Sequence, residues 1–499
     1  MATTDNTPQR SYRAPCPGCG APVEFRSAQS THAVCSFCRS TVVRSGEKLQ
    51  RLGRMAEVFE DYSPLQLMAA GRHEGRGFTL VGRLQYRGSS GAWTEWQALF
   101  EGGDTGTLSE DNGSYVFSRP ARMQREVPAA DRFRLGATTA VGGKSFTVAT
   151  QDQATLVSAQ GELPRLPPLG QPFPVVELRS ADGEVLSIEY GSTPAQVSRG
   201  VQVQLDGLQL TGLRTEAGQQ ETARQFACPQ CGAPVELRLQ GTRSITCASC
   251  HSLIDVSQGI GGELRHAIQD EPVQPLVLLG TVGQLHGAAW QVVGFQHRMG
   301  REPGDPDEQF GWSEYLLYNA RRGFQFLVDS EDGWSLVQPM TGAPALSSDG
   351  GTATHQGQRY RLKDSYEAET TYVAGEFYWP VERGQKTFNR DFTSGRQLLS
   401  MEQSPREVTW SAGRILAGAT VSQAFRLDQG GGDFRRGDAG PTSGQSGLGC
   451  GCLLLILLGI LVLVLLVILL RDDDNAGGSG AYRSGGGSYG GYSSGGGHK

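Results

Sequence analysis

One cysteine pattern occurs twice in this chain, and it constrains the fold more than any other feature. Cys16, Cys19, Cys35 and Cys38 form C-x2-C-x15-C-x2-C; Cys228, Cys231, Cys247 and Cys250 repeat that spacing without a one-residue difference. Each C-x-x-C pair can wrap two thiolates around one side of a tetrahedral zinc. Fifteen intervening residues suffice for a β-hairpin that brings the second pair opposite. Pro17 and Pro229 stiffen the first knuckle, and Gly20 and Gly232 permit the left-handed turn just past it. The spacing predicts two structural Zn2+ ions per chain, each in a closed four-thiolate site. His251, directly after the last cysteine of the second set, is an alternative ligand to weigh against a plain surface residue. Disulfide loops would need an oxidising compartment, which the absence of a charged-then-apolar start disfavours. A redox-active C-x-x-C would need a helix start in a βαβ setting, and none is evident.

The repetition extends well beyond the cysteines. SPLQLMAAGRHEGRGFTLVGRLQYR from Ser63 lines up with QPLVLLGTVGQLHGAAWQVVGFQHR from Gln274, placing Gly82 opposite Gly294. Trp93-Thr94-Glu95-Trp96 answers to Trp312-Ser313-Glu314-Tyr315 after an insertion around Arg301 to Asp307, which a hairpin loop tolerates. GGKSFTVATQDQATLVSAQGELP from Gly142 resembles QGQRYRLKDSYEAETTYVAGEFYWP from Gln356. The duplication spans roughly residues 10–215 and 223–425.

Short runs rich in β-branched and aromatic residues, such as Phe78–Val81 and Val185–Tyr190, are bounded by Gly, Asp-Gly or Ser-Gly. They read as strands joined by turns. Helical periodicity is weak; the best soluble stretch is Lys48 to Ala70, interrupted by Pro64. The fold class is therefore mainly β: two tandem copies of a four-cysteine zinc ribbon plus a β domain, followed by one C-terminal transmembrane α-helix. The pattern leaves open whether the bodies are barrels, sandwiches or open sheets.

The layout runs as a disordered start at 1–9, ribbon 1 at 10–48, β body 1 at 49–222, ribbon 2 at 223–260 and β body 2 at 261–426. A flexible linker at 427–447 leads to a transmembrane helix at 448–470 and a disordered Gly/Ser/Tyr-rich tail at 471–499. No charge interrupts Gly447 to Leu470. At about 1.5 Å per residue, this run crosses a hydrocarbon core of about 30 Å. Cys450 and Cys452 sit at its boundary, either as lipidation sites or as small helix-packing residues.

No residue pattern suggests a catalytic centre, and the chain reads as a non-enzyme. Gly143-Lys144-Ser145 lacks the first glycine of a phosphate loop, since Thr138 stands there, and is read as a turn. The eight histidines form no H-E-x-x-H cluster. Glu95 and Glu314 are the acidic residues that the duplication pairs in an aromatic setting; a buried structural role is favoured over ligand contact.

The features from Leu276 to Trp334 carry a family resemblance: Gly280, Gly287 and Gly294 in an apolar stretch, then Trp312-x-Glu314-Tyr315 and Asp332-Gly333-Trp334. They resemble the bacterial family DUF4178. The first copy matches less closely, with Asp111-Asn112-Gly113-Ser114-Tyr115 in place of the last motif. The resemblance implies a bacterial protein whose gene neighbours those of membrane-stress and membrane-remodelling proteins, but it brings no activity.

Together these features suggest a single-pass scaffold in the bacterial inner membrane, with the bulk of the chain cytoplasmic and the tail outside. Protein partners are expected, and duplication would give two linked contacts. Nucleic acid binding through ribbon 1 is the alternative, because residues 10–48 hold six Lys/Arg against two Asp/Glu. The net charge of -6 and the balanced second ribbon weigh against it. A further alternative is an enzyme with an unrecognised site in the β bodies.

Overall fold

The computed structural model describes residues 12–427, apart from 46–47, 55–62, 90, 112–113, 215–223, 240–241, 258–259, 261–263, 270–272, 304 and 320–321. The predicted linker, membrane span and tail lie outside the described residues, as do Cys450 and Cys452. Among the described residues, no helix is long and apolar enough to cross a membrane.

Each copy is built on one 20-residue strand, Lys144–Leu163 in the first and Gln358–Phe377 in the second. In copy 1 the long strand pairs with Pro172–Arg179, and the antiparallel neighbours continue through Glu184–Glu189, Gln196–Val203, Ser114–Pro120, Thr105–Asp111 and Ala92–Phe100 to Arg76–Arg87. Arg76–Arg87 then pairs back onto the long strand, closing a ring of eight. Copy 2 closes identically through Lys386–Ser394, Gln397–Gln403, Val408–Leu416, Gly333–Met340, Gly323–Ser330, Asp305–Asn319 and Ala288–Glu302. The bodies are thus eight-stranded antiparallel barrels. Closure removes the sheet edges that would otherwise template association.

Closure requires the long strand to press against its neighbour, which explains the repeated glycines. A Cβ on Gly82 would lie 1.9 Å from the Glu162 carbonyl oxygen. Gly161 and Gly375 have φ of +70° and +86°, and a Cβ on either would fall 2.2 or 2.3 Å from a facing carbonyl. Only glycine fits there.

The cysteine hairpins are continuous with the barrels. Beyond its barrel the long strand pairs with a ribbon strand: Gly161–Leu163 with His32–Val34, and Glu376 and Phe377 with Ile245 and Ser244. Ribbon pairing also runs further along the chain than the cysteines alone suggest. Lys48–Arg54 is a strand paired with Ser40–Ser45, and His266–Ala267 pairs with Leu253–Asp255. This corrects the helical reading of the segment from Lys48. The registered antiparallel pairing of this segment with Ser40–Ser45 outweighs a weak helical period.

Copy 2 ends in the helix Gly418–Phe425, whose Val421 and Phe425 pack with Trp290, Trp334 and Leu416 on the outside of the barrel. The two copies touch. The Gln151 amide donates to the Arg406 carbonyl at 3.1 Å, the Ala343 amide to the Ser180 carbonyl at 3.1 Å, and Leu135 packs into the core around Phe392 and Trp410.

Candidate metal centres and barrel interiors

Each cysteine set converges as its spacing predicts. Cys16 and Cys35 are buried, Cys38 half-buried and Cys19 exposed, and Cys228, Cys247, Cys250 and Cys231 repeat that order. Within each set all four sulfurs lie within 4.8 Å of one another. The closest pairs are Cys16–Cys38 and Cys19–Cys35 at 3.7 Å, and Cys228–Cys250 and Cys231–Cys247 at 3.7 and 3.8 Å. Four thiolates about 2.3 Å from one tetrahedral ion are about 3.8 Å apart. A disulfide would bring two of them to about 2.05 Å. Both sets can hold a metal ion.

The groups beside Cys16, Cys38 and Cys250 suit thiolates. The Gly18 amide donates to Cys16 Sγ at 3.3 Å. Ser40 and Ser252 lie 3.1 and 3.3 Å from Cys38 and Cys250, and their hydroxyls, aided by their amides, pull each thiol down to about 6. Arg39 and His251 take the left-handed turn after the last cysteine, with φ of +57° and +58°. His251 is exposed and outside the sulfur cluster; its carbonyl accepts Gln269 Nε2 at 2.7 Å.

A carboxylate next to the close glycine clamps each ribbon onto its barrel. Glu162 accepts the Arg26 and Ser27 amides at 2.6 and 3.1 Å; Glu376 accepts those of Arg238 and Leu239 at 3.0 and 2.9 Å, and the Thr242 hydroxyl at 2.6 Å. The ribbons therefore lean on their barrels through a charge-assisted contact as well as through strand pairing.

The paired glutamates have diverged. Glu314 points into barrel 2, fully buried, and accepts Trp312 Nε1 at 2.7 Å and the Gln296 amide. The Arg298 guanidinium lies 3.5 Å from it, 2.9 Å from Glu402, 2.6 Å from Thr387 Oγ1 and 5.5 Å from the centre of the Trp312 ring. Burial would pull the guanidinium down, yet Glu402 and Glu314 outweigh it and keep it charged. Around this network Phe310, Leu316, Phe326, Val328 and Tyr366 fill the barrel. The structural role expected of Glu314 holds.

Glu95 is placed differently. It accepts Trp93 Nε1 at 3.3 Å and faces a cleft of about 490 Å³ that occupies the interior of barrel 1. All eight strands contribute residues to this cleft, and Pro339–Thr341, Glu407 and Thr409 of copy 2 border its mouth. Burial, with Glu189 adding and Arg165 opposing, pushes the Glu95 carboxyl up to about 8. Glu189 pairs with Arg165 at 2.5 Å. Sequence reasoning missed Glu189, Arg165 and Tyr86 here, and Arg298 and Glu402 in copy 2. One signal was present: Ser187-Ile188-Glu189 and Ser400-Met401-Glu402 are the same motif at the same strand position.

The profile of a domain of unknown function, DUF4178, matches residues 66–205 and again 278–417, more than half of the chain. The chain belongs to the DUF4178 family. Each match covers all eight strands of a barrel and starts after the cysteine hairpin, so in this chain each DUF4178 domain carries a four-thiol ribbon ahead of it. Neither the curated proteins nor the solved structures contain a match.

Proposed function

We propose that this DUF4178 protein is a non-catalytic scaffold, tethered to the bacterial inner membrane by residues 448–470, whose two ribbon–barrel units recruit protein partners at the cytoplasmic face. Both four-thiol sets would hold structural zinc. The observation that carries this reading is that the two sets are alike in geometry and closed, and that each is clamped to its barrel by a buried glutamate. Four thiolates leave zinc no open position for an activated water, so the metal organises a surface. Ribbon 1 presents Phe37 at the tip of its second knuckle, 72 % exposed, with Leu52 exposed on the strand beyond. Exposed apolar side chains on a rigid, metal-pinned hairpin suit a protein contact.

The test uses the full chain extracted in detergent. Metal analysis should find about two zinc per chain, and extraction should require detergent rather than salt or alkali. Affinity capture of the full chain should recover defined proteins that a Phe37→Ala, Leu52→Ser variant loses. One metal or none with the thiols reduced and intact would refute the zinc reading, and release by alkali alone would refute the tether.

A further inference from the structure

The two barrels answer the same chemical problem in different ways. The strand registers place Tyr86 opposite Trp93 as they place Arg298 opposite Trp312, so Tyr86 stands where copy 2 has its guanidinium. The same registers equate Glu95 with Glu314 and Glu189 with Glu402. In copy 2 a cation lies between these carboxylates and over the indole. In copy 1 a tyrosine takes that cation's position, and the side chains that crowd copy 2 are replaced by shorter or polar ones. Leu316, Phe326, Val328 and Tyr366 correspond to Gln97, Thr107, Ser109 and Asp152, all of which border the cleft.

We infer that the interior of barrel 1 is a binding site for a small organic cation, an amidinium, guanidinium or ammonium group on an apolar body, seated between Glu95 and the Tyr86–Trp93 wall. Copy 2 shows the group that this arrangement accepts, because Arg298 is such a group held covalently. Tyr86 and Trp93 stack at 5.2 Å and 16°, with Phe173 edge-on to Tyr86 at 6.3 Å, giving an aromatic surface of the kind that attracts cations. The Tyr86 hydroxyl is a second pointer to a ligand. The residue is 1 % exposed, its hydroxyl has no hydrogen-bond partner among the described residues, and it lies among Glu95, Glu189 and Arg165.

Charge around the cleft agrees. Its carboxylates are Glu95, Asp111, Asp152, Glu177, Glu189 and Glu407, against the guanidinium groups of Arg165 and Arg179. Both arginines are already paired, with Glu189 and Glu177, each at 2.5 Å. Among the described residues no carboxylate group is arranged to hold a metal ion, which favours an organic cation over a bare one. The volume lies in the range of about 300–1,000 Å³ typical of small-molecule sites, and an eight-stranded barrel is just wide enough for one such ligand.

The experiment is calorimetric titration of the full chain in detergent with benzamidine and, at equal ionic strength, with its neutral analogue benzamide. One benzamidine per chain should bind, with benzamide about tenfold weaker or worse. A cation beside Glu95 favours its ionised form, so binding at pH 7 should release close to one proton, read from buffers of different ionisation heat. Glu95→Gln should weaken benzamidine about tenfold and abolish the proton release, and Tyr86→Arg, which installs the copy 2 solution, should abolish binding. Equal affinity for benzamide overturns the proposal, as does no saturable benzamidine binding below about 10 mM. Unchanged binding in a Glu95→Gln protein that keeps its metal content and circular dichroism also overturns it. The probe pair decides the matter on the native chain even if either variant fails to fold.

Discussion

Replacing Arg298 with methionine tests the central claim about barrel 2, that its interior is held by one cation serving two carboxylates. Arg298 is 1 % exposed, and its side chain meets Glu402 at 2.9 Å, Glu314 at 3.5 Å and Thr387 at 2.6 Å. Methionine preserves most of the volume but strands Glu314, with 0 % side-chain exposure, and Glu402, with 10 %. Removing one partner from a buried ion pair costs about 3–5 kcal/mol, because the remaining charge stays desolvated. With a urea slope of about 1–3 kcal/mol per molar, a loss of about 4 kcal/mol would move the midpoint down by about 2 M. Tryptophan fluorescence is a suitable probe, since five of the seven tryptophans (Trp290, Trp312, Trp334, Trp379 and Trp410) belong to copy 2. The triple variant Arg298→Met, Glu314→Gln, Glu402→Gln removes the stranded charges and should recover at least half of the loss. A single-variant cost below about 1 kcal/mol, or a triple variant no more stable than the single, would refute the reasoning.

Four further outcomes follow from the geometry. Cys19→Ser should lower zinc content from about two to one per chain and expose ribbon 1 to limited proteolysis while ribbon 2 resists, because each four-thiol set lies within one copy. Glu376→Ala removes the acceptor of the Arg238 and Leu239 amides and should destabilise ribbon 2 by about 2–3 kcal/mol, read as faster hydrogen exchange at those amides. Gly161→Ala places a Cβ 2.2 Å from the Val81 carbonyl oxygen and should cost more than about 3 kcal/mol by thermal unfolding. Glu95 holds its proton up to about pH 8 in the folded chain, against about 4.3 when unfolded. Stability should therefore fall by at most about 1.4 kcal/mol per pH unit as pH rises through that window and level off above it; Glu95→Gln should lack this slope, measured by urea midpoints from pH 5 to 9.

The convergence of each four-cysteine set was legible, since C-x2-C-x15-C-x2-C is a local spacing that lets two knuckles face each other across a hairpin. The β class and the tandem repeat were legible too, from the Gly82–Gly294 alignment and the turn-bounded apolar runs. Barrel closure was not. It depends on one strand accepting partners on both edges, Arg301 and Phe388 both lying beside Glu367, and no local pattern encodes that choice. The role of the Trp-x-Glu pairs was half legible: the motif marks Glu95 and Glu314 as buried among aromatics. Their different fates are written on other strands, in Tyr86 against Arg298 and Asp152 against Tyr366, positions whose meaning appears only once the registers are known. The segment from Lys48 was misread because a short edge strand shows too few turns of either period to decide between helix and sheet.

The divergence of the two barrels also gives a physical reason for keeping them in one chain. A barrel filled by Phe326, Tyr366 and the Arg298 network is close-packed and gains dispersion contacts on every side. A barrel with a cleft of about 490 Å³ forfeits many of those contacts and keeps acidic groups near one another. Such an interior is easier to maintain when a rigid neighbour supplies part of its wall. Copy 2 does so: Pro339–Thr341, Glu407 and Thr409 border the mouth of barrel 1, Thr150 bridges to Glu407, and the Gln151 amide reaches the Arg406 carbonyl. The filled barrel cannot open without stranding Glu314 and Glu402, so its rigidity comes from the same ion network that occupies its interior. Duplication thus lets one copy commit its interior to packing and the other leave its interior accessible, a division that a single eight-stranded barrel could not accommodate.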